Sequence, residues 1–137
     1  MSHSDEFYLQ WNDFEENIRE SFTELRKDQN YFDVTIATSD NHQIRAHKII
    51  LSAGSQYFSS ILKHINNSSP FIYLKGITKK ELDNLVDFLY NGQACIAEEE
   101  LNNFLNIAQE FKVKGLLNDL NVRNQTPEII LEEQNRY

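Results

Sequence analysis

The segment from residue 32 to residue 62 changes its hydrophobic period, and this change limits the folds that the chain can adopt. Phe32, Val34 and Ile36 alternate with residues that point the other way, which predicts a half-buried strand. A polar turn at residues 39–41 follows, and the alternation resumes over residues 44–46. Two alternating runs joined by a turn of this kind predict a β-hairpin.

Two helices are predicted directly after the hairpin. The first begins near His47 and ends at Gly54, because glycine readily adopts the left-handed conformation that closes a helix. Ser55 is then a candidate N-cap for the second helix. The apolar faces contain Ile50, Leu51 and Ala53 in the first helix and Phe58, Ile61, Leu62 and Ile65 in the second. A hairpin and two helices in so short a space predict a compact α+β unit.

Two charged residues lie among apolar neighbours in this unit. Asp33 lies between Phe32 and Val34, and Lys48 lies at the start of the first helix. Because a lone buried charge is costly and a paired one is tolerated, one prediction is that Asp33 and Lys48 lie close enough to interact. The sequence supports equally the alternative that each is solvated at the end of an element.

Upstream of the hairpin, residues 6–11 alternate like a strand, and a helix is predicted to follow them. The strand places Phe7, Leu9 and Trp11 on one face and Tyr8 and Gln10 on the other. The helix has an apolar stripe at Phe14, Ile18, Phe22 and Leu25, with Asn12 or Asp13 as cap and Glu16 at capping-box distance. Since a lone strand is unstable, strand and helix are predicted to be buried in a second copy. Their folding back onto the same chain is the alternative.

The rest of the chain predicts a strand at residues 71–74 and further helices. Thr78 and Glu81 form a capping box for a helix that ends before Gly92, and residues 93–96 are a possible short strand. The glutamates at residues 98–100 favour the start of another helix, and a last short helix is predicted to contain Leu116, Leu117 and Leu120. The predicted domain spans residues 6–120, after a flexible N-terminus at 1–5 and before a tail or linker at 121–137.

Composition and spacing argue against several classes of function. The net charge of −8 opposes the phosphate charge of nucleic acids, so we expect no direct contact with nucleic acid. The longest apolar runs fall well short of the roughly 20 residues that cross a bilayer, and the single cysteine fits a reducing compartment. The four histidines lack zinc-ligand spacing, and neither a glycine-rich phosphate loop nor a nucleophile elbow is present. We therefore expect a protein that is not an enzyme and needs no cofactor and no metal.

Several motifs, in order along the chain, resemble the signature of the BTB/POZ domain. They are residues 32–34 (Phe-Asp-Val), 46–53 (Ala-His-Lys-Ile-Ile-Leu-Ser-Ala) and 55–58 (Ser-Gln-Tyr-Phe). Residues 11–14 (Trp-Asn-Asp-Phe) and 113–116 (Val-Lys-Gly-Leu) narrow the resemblance to the tramtrack subgroup of insect chromatin proteins. This resemblance implies an α+β fold in which a helical cluster is flanked by a small sheet, with the N-terminal strand and helix in a dimer interface.

The resemblance also implies a function and its residues. It implies a nuclear regulator of transcription or chromatin architecture that homodimerises by strand exchange and assembles dimers into a hexamer or a similar multimer. Other tramtrack-type BTB domains and corepressors are further implied partners, and an adaptor for a cullin ubiquitin ligase is the alternative function. The implied interface contains Phe7, Tyr8, Leu9, Gln10, Trp11, Phe14, Ile18, Phe22, Ala94 and Ile96, and the implied charged pocket contains Asp33 and Lys48. The chain departs from the subgroup pattern at Gln10, Gly54, Gly76 and residues 93–94.

Overall fold

A three-stranded sheet and five α-helices form the part of the chain that the computed structural model describes, residues 5–116. In chain order the elements are α1 (Phe14–Asp28), β1 (Val34–Thr38), β2 (Gln43–Ala46), α2 (Lys48–Gly54), α3 (Gln56–Lys63), β3 (Phe71–Leu74), α4 (Lys79–Asn91), a 3₁₀ turn (Glu98–Glu100) and α5 (Leu101–Glu110). The predicted α+β class is confirmed.

The sheet has β1 at its centre, antiparallel to β2 and parallel to β3, in the order β2-β1-β3. The hairpin predicted from the alternation is confirmed, with Val34 opposite Ala46 and Ile36 opposite Ile44. Val34 and Ile36 are fully buried, so this face of β1 forms part of the core. The core joins them to buried side chains of α2, α3, α4 and α5, including Leu51, Phe58, Leu82, Leu85, Val86, Phe104, Ile107 and Ala108.

Two helix starts follow the predicted capping chemistry. The Ser55 hydroxyl accepts a hydrogen bond from the Phe58 N–H at 3.1 Å, which caps α3, and donates to the Phe111 carbonyl at 2.7 Å. At α4, Thr78 Oγ1 accepts from the Glu81 N–H at 3.2 Å while the Glu81 carboxylate accepts from the Thr78 N–H at 3.0 Å. This is the reciprocal pair of a capping box.

Gly54 does not have the role that the sequence predicted for it. It is the last residue of α2, as predicted, but its φ is not among the positive values of the described residues, so the helix does not end in a left-handed conformation. A Cβ atom built on Gly54 would lie 2.6 Å from Leu89 Cδ2 of α4. The glycine is therefore needed for close packing between two helices. In the same helix, Ile50 and Leu51 are buried but Ala53 is exposed, which corrects the predicted apolar face.

The predicted cap of α1 is also wrong. Asp13 precedes the helix in a left-handed conformation, with φ 61°, and its side chain makes no capping hydrogen bond. The amide of Asn17 instead donates to the Asp13 carbonyl at 2.9 Å, together with the backbone N–H of the same residue. An N-cap usually has extended backbone, so the left-handed turn explains why the carboxylate does not reach the first helical N–H groups.

Two predicted strands are absent from the described part of this single chain. Residues 6–11 and 93–96 are neither helical nor paired with another strand. The physical reason is that a strand is defined by hydrogen bonds to a neighbour, and neither segment has one within residues 5–116. The last predicted helix begins by Leu116, but Leu117, Leu120 and the proposed tail at 121–137 lie outside the described residues.

Candidate interaction surface

The segment before α1 exposes large apolar side chains. Phe7, Tyr8 and Leu9 are 82%, 87% and 87% exposed, and Trp11 is 57% exposed. The Trp11 ring packs edge-on against Phe14 with 4.8 Å between centroids, and Phe14 itself is 49% exposed. A contiguous set of exposed aromatic and aliphatic side chains is typical of a surface that another protein covers.

Helix α1 lies against its own chain through Phe22, which packs against the core, and through polar contacts of its C-terminal half. Arg26 forms an ion pair with Asp87 of α4 at 2.7 Å, and its guanidinium lies 5.2 Å from the centroid of the Tyr90 ring. The Thr23 hydroxyl donates to Asn91 Oδ1 at 2.8 Å. Among the side chains of α1 none is fully buried; Ile18 and Phe22, named from the sequence, are half-buried. The apolar stripe is therefore only partly covered by the same chain.

Residues 93–97 form a second extended segment that lacks a strand partner in the described chain. They connect α4 to the 3₁₀ turn, with Ala94 and Ile96 half-buried and Cys95 exposed. Backbone N–H and C=O groups need hydrogen-bond partners when they are buried. Residues 6–11 and 93–97 thus both carry backbone groups that a second chain can satisfy. Gln10 is exposed in the same way as its neighbours.

The structure joins Asp33 to Lys48, but through the backbone. Asp33 Oδ1 accepts from the Lys48 N–H at 2.7 Å, and Lys48 is the first residue of α2. The two charged side chains form no ion pair within 4 Å among residues 5–116. Asp33, which directly precedes β1, therefore caps the N-terminus of α2. Its negative charge also interacts favourably with the dipole of that helix.

This geometry predicts that substitutions at Asp33 and at Lys48 have unequal effects on stability. Asp33→Ala should lower the free energy of unfolding by about 1 kcal/mol, the usual cost of a lost N-terminal cap, and Asp33→Asn should cost less because an amide oxygen also accepts. Lys48→Gln should change it by less than about 0.5 kcal/mol, because the backbone N–H remains. Urea denaturation of the three variants is the measurement. Equal losses for Lys48→Gln and Asp33→Ala would instead indicate an ion pair.

A buried network around His47 was missed from the sequence. The imidazole Nε2 lies 2.8 Å from the Asn30 carbonyl, and Nδ1 lies 2.6 Å from the Tyr90 hydroxyl. A carbonyl oxygen only accepts, so Nε2 carries the proton and, in the neutral ring, Nδ1 accepts from Tyr90 Oη. The same hydroxyl oxygen accepts from the His47 N–H at 2.9 Å. Burial raises the pKa of the Tyr90 phenol, which keeps this donor protonated.

The network fixes the segment that connects α1 to the hairpin. Gln29 and Tyr31 have positive φ values of 63° and 67°, which are unfavourable for residues with side chains. The Asn30 carbonyl between them is held by His47, and the Phe32 ring packs against the imidazole at 4.8 Å between centroids. The only sequence signal for this role of His47 was its place at the boundary between a predicted strand and a predicted helix. A polar ring at such a buried position needs hydrogen-bond partners.

Neither a metal-binding cluster nor a membrane-spanning helix is found in the described part of the molecule. Across residues 5–116, His, Cys, Asp and Glu side chains form no group of three or more that could hold a metal ion. Within the same range, no helix is both long and apolar enough to cross a membrane.

Comparisons with known proteins agree with this picture. A family model described as "BTB/POZ domain" matches residues 22–126. The Drosophila melanogaster proteins "Longitudinals lacking protein-like", "Protein abrupt" and "Protein tramtrack, alpha isoform" are 39%, 37% and 34% identical over 116, 116 and 113 residues, which is 85%, 85% and 82% of this chain. The match covers 91% of the first of them but only 13% and 14% of the other two.

The fold also matches a solved structure. The BTB domain of zebrafish PATZ1 superposes with a TM-score of 0.69 at 20% sequence identity, covering 80% of this chain and 89% of that one. The match at low identity concerns the fold, and it agrees with the α+β arrangement described above.

Proposed function

Because the chain belongs to the BTB/POZ domain family, whose members are protein-interaction modules, we propose that it is a self-associating domain of a nuclear regulator of transcription or chromatin architecture. The observation that carries the proposal is the exposed segment before α1, with Phe7, Tyr8 and Leu9 more than four-fifths exposed. In water such a segment gains roughly 25 cal/mol for each Å² of apolar surface that it buries. A second copy of the chain is the partner that supplies both missing strands.

In the proposed homodimer, residues 6–11 of each chain pair with residues 93–96 of the other. Ala94 and Ile96 then lie beside the exchanged strand, and the open stripe of α1 at Phe14, Ile18 and Phe22 packs against its symmetry mate. An interface built from a strand and a helix on each side belongs to the obligate class, which buries about 2,000 Å² or more. Tyr8 and Gln10, on the opposite face of the strand from Leu9, remain available for contacts between dimers.

The proposed nuclear role rests on the resemblance to the tramtrack subgroup, and Protein tramtrack, alpha isoform is among the matched relatives. Most of the matched Drosophila proteins are several times longer than this chain, which aligns with only 10–16% of proteins such as bric-a-brac 2, abrupt and the Broad-complex core protein. In the proposal, contact with DNA is made by other segments or partners, because the net charge of −8 disfavours it here. Other tramtrack-type BTB domains and corepressors are the heterologous partners of the proposal.

Deletion of residues 1–11 tests the proposed assembly. We expect light scattering of the wild-type chain to give a mass well above twice the 16.1 kDa of one chain, consistent with a hexamer or a similar multimer. The truncated chain should fall to a dimer held by α1, because Tyr8 and Gln10 no longer make contacts between dimers, or become unstable, because the exchanged strand is lost. A milder variant, Leu9→Ser with Trp11→Ser, removes apolar surface and keeps the backbone.

The matched control is Tyr31→Ser, which removes an aromatic side chain that is 81% exposed outside the N-terminal segment. Its mass should equal that of the wild type. A wild-type mass of one chain at micromolar concentration would refute the dimer. An unchanged large mass after the deletion would refute the role of the segment, and circular dichroism would separate loss of assembly from loss of fold.

A further inference from the structure

The three-stranded sheet has one face on the core and one face turned away from it. On the central strand β1, Val34 and Ile36 are fully buried in the core. Successive side chains of a strand point to opposite faces, so Thr35 and Ala37 lie on the outward face. Both side chains are small. Small residues along the middle of a face leave a depression wherever the flanking strands carry larger ones.

The flanking strands carry larger side chains on both sides of β1. In register with the two small residues, β2 carries Arg45 and Gln43, and β3 carries Phe71 and Tyr73. Phe71 and Tyr73 are 59% and 57% exposed and form an apolar wall, while Arg45 and Gln43 are exposed and form a polar wall. Ala37 between the walls is covered by them and is buried. These four side chains and the two small ones between them form the sheet groove.

The sheet groove is positively charged, although the chain as a whole has a net charge of −8. Arg45 is the only charged side chain among the residues of the three strands, and Lys75 is exposed directly after β3. The Arg45 guanidinium donates to the Thr35 hydroxyl at 3.3 Å and to the Phe32 carbonyl at 3.4 Å. Among residues 5–116 it has no carboxylate within 4 Å. A cation of this kind beside an apolar wall favours an occupant that carries acidic and apolar side chains together.

The chain itself contains a segment of this chemistry. Residues 128–133, which lie outside the described residues, read Glu-Ile-Ile-Leu-Glu-Glu, with three aliphatic side chains among three carboxylates. Between Leu116 and this segment the chain can extend to about 40 Å. A domain of roughly 100 residues has a radius of gyration of about 13 Å, which corresponds to a diameter of about 35 Å. The segment is therefore long enough to reach most of the surface of its own domain.

We propose that residues 128–133 bind in the sheet groove of the same chain. Their aliphatic side chains contact Phe71 and Tyr73, and their carboxylates face Arg45 and Lys75. A tether of about a dozen residues gives an effective concentration on the order of 1 mM, so at micromolar protein this contact dominates over the same contact with another copy. A partner protein that uses the groove must first displace the segment. The contact does not involve the residues before α1 and is independent of the proposed self-association.

Disulfide trapping in the full chain tests this contact. In a Cys95→Ser background, Gln43→Cys with Leu131→Cys places one thiol on the polar wall and one in the segment. Equilibration with a glutathione buffer measures the effective concentration of the two thiols. We expect it to exceed by about tenfold or more that of the control pair Asn102→Cys with Leu131→Cys. Asn102 is exposed on α5, outside the groove.

The apolar wall is tested in the same background. Adding Tyr73→Ser should remove most of the difference between the two cysteine pairs, because the aliphatic side chains lose their contact. Tyr31→Ser, at a tyrosine that is 81% exposed elsewhere, should leave the difference unchanged. Chains that carry only one of the two cysteines, mixed with chains that carry only the other, should form little covalent dimer.

A peptide titration serves as a second measurement should the cysteine variants fail to fold. A fluorescent peptide of residues 127–133 is titrated with the wild-type chain and with the full-length Ile129→Ser, Leu131→Ser variant, whose own segment has lost two aliphatic side chains. By anisotropy, the variant should bind the peptide several-fold more tightly than the wild type does. Arg45→Glu in the same variant should weaken the binding several-fold, and a peptide with the same two serines should not bind.

The outcomes separate the possible occupants. Equal effective concentrations for the two cysteine pairs, or a variant that binds the peptide no better than the wild type, would overturn the intrachain contact. A disulfide that forms only between separate chains would assign the groove to a second copy and would also overturn it. A wild-type mass of one chain in light scattering would refute the proposed self-association and would leave the trapping result as it is.

Discussion

Replacement of Phe58 by alanine is expected to lower the free energy of unfolding by about 3–5 kcal/mol. Phe58 is fully buried, and its ring lies 5.6 Å from that of Tyr57 and 5.4 Å from that of Phe111 between centroids. Truncation removes the transfer free energy of the ring and leaves a cavity at the point where α3 meets the segment after α5. Since domains of this size are stable by only about 5–15 kcal/mol, the variant should lose a large fraction of its stability.

Urea denaturation at several protein concentrations measures this loss and separates it from any linked dissociation. Ile49→Ala on α2 is the control, because Ile49 is 76% exposed and its truncation should cost less than about 0.5 kcal/mol. A loss below about 1 kcal/mol for Phe58→Ala would mean that the ring is not packed as the structure has it.

Tyr90→Phe is expected to cost on the order of 2–4 kcal/mol, because the two groups that share the hydroxyl lose a partner together. The hydroxyl of Tyr90 accepts from the buried His47 N–H and donates to the imidazole Nδ1. Phenylalanine fills the same space, so the loss reports the hydrogen bonds and not packing. Tyr31→Phe, at an exposed tyrosine, should change the stability by less than about 0.5 kcal/mol. Equal stabilities of the two variants in urea would show that the network contributes nothing.

The buried phenol of Tyr90 also predicts that the stability of the fold depends on pH in the alkaline range. Burial raises the pKa of Tyr90 above the ordinary value near 10. The folded state therefore keeps the phenolic proton at a pH where the unfolded chain releases it, and stability falls as pH rises above that ordinary value. The contribution is fully present below the ordinary pKa and is lost as pH passes through the higher folded one. Stability curves measured from pH 8 upward should thus decline more steeply for wild type than for Tyr90→Phe.

Local signals in the sequence were sufficient for the elements that depend on neighbours in sequence. The hairpin of β1 and β2, the Ser55 cap and the capping box at Thr78 and Glu81 each involve residues a few positions apart, and all were predicted. Gly54 was misread, because the contact that requires it is made by Leu89, far along the chain. In the sequence alone, a glycine that is needed for close packing at the end of an apolar run has the same pattern as a glycine that ends a helix in the left-handed conformation.

The interaction surface was predicted only in part, since its hydrogen bonds belong to a second chain in the proposed dimer. The alternation at residues 6–11 indicated a strand, but pairing cannot be found in a single chain, and the structure shows the segment unpaired. The cost of isolated charges predicted an interaction between Asp33 and Lys48, but the contact in the structure joins the Asp33 carboxylate to the Lys48 backbone N–H. Which atoms meet depended on the position of the first turn of α2 beside Asp33, where the Tyr90 hydroxyl holds the neighbouring His47 N–H.

The polar attachment of α1 has a consequence for hydrogen exchange. A helix without fully buried residues, tied to α4 by Arg26 and Thr23, opens at a much smaller free energy than the helices around Phe58. In a lone chain its amides would exchange by local opening within the folded state, whereas those of α2 to α4 would exchange only with global unfolding. Covering α1 by a second chain raises its opening free energy. The protection of the α1 amides from hydrogen exchange therefore measures, residue by residue, the fraction of the protein that is associated.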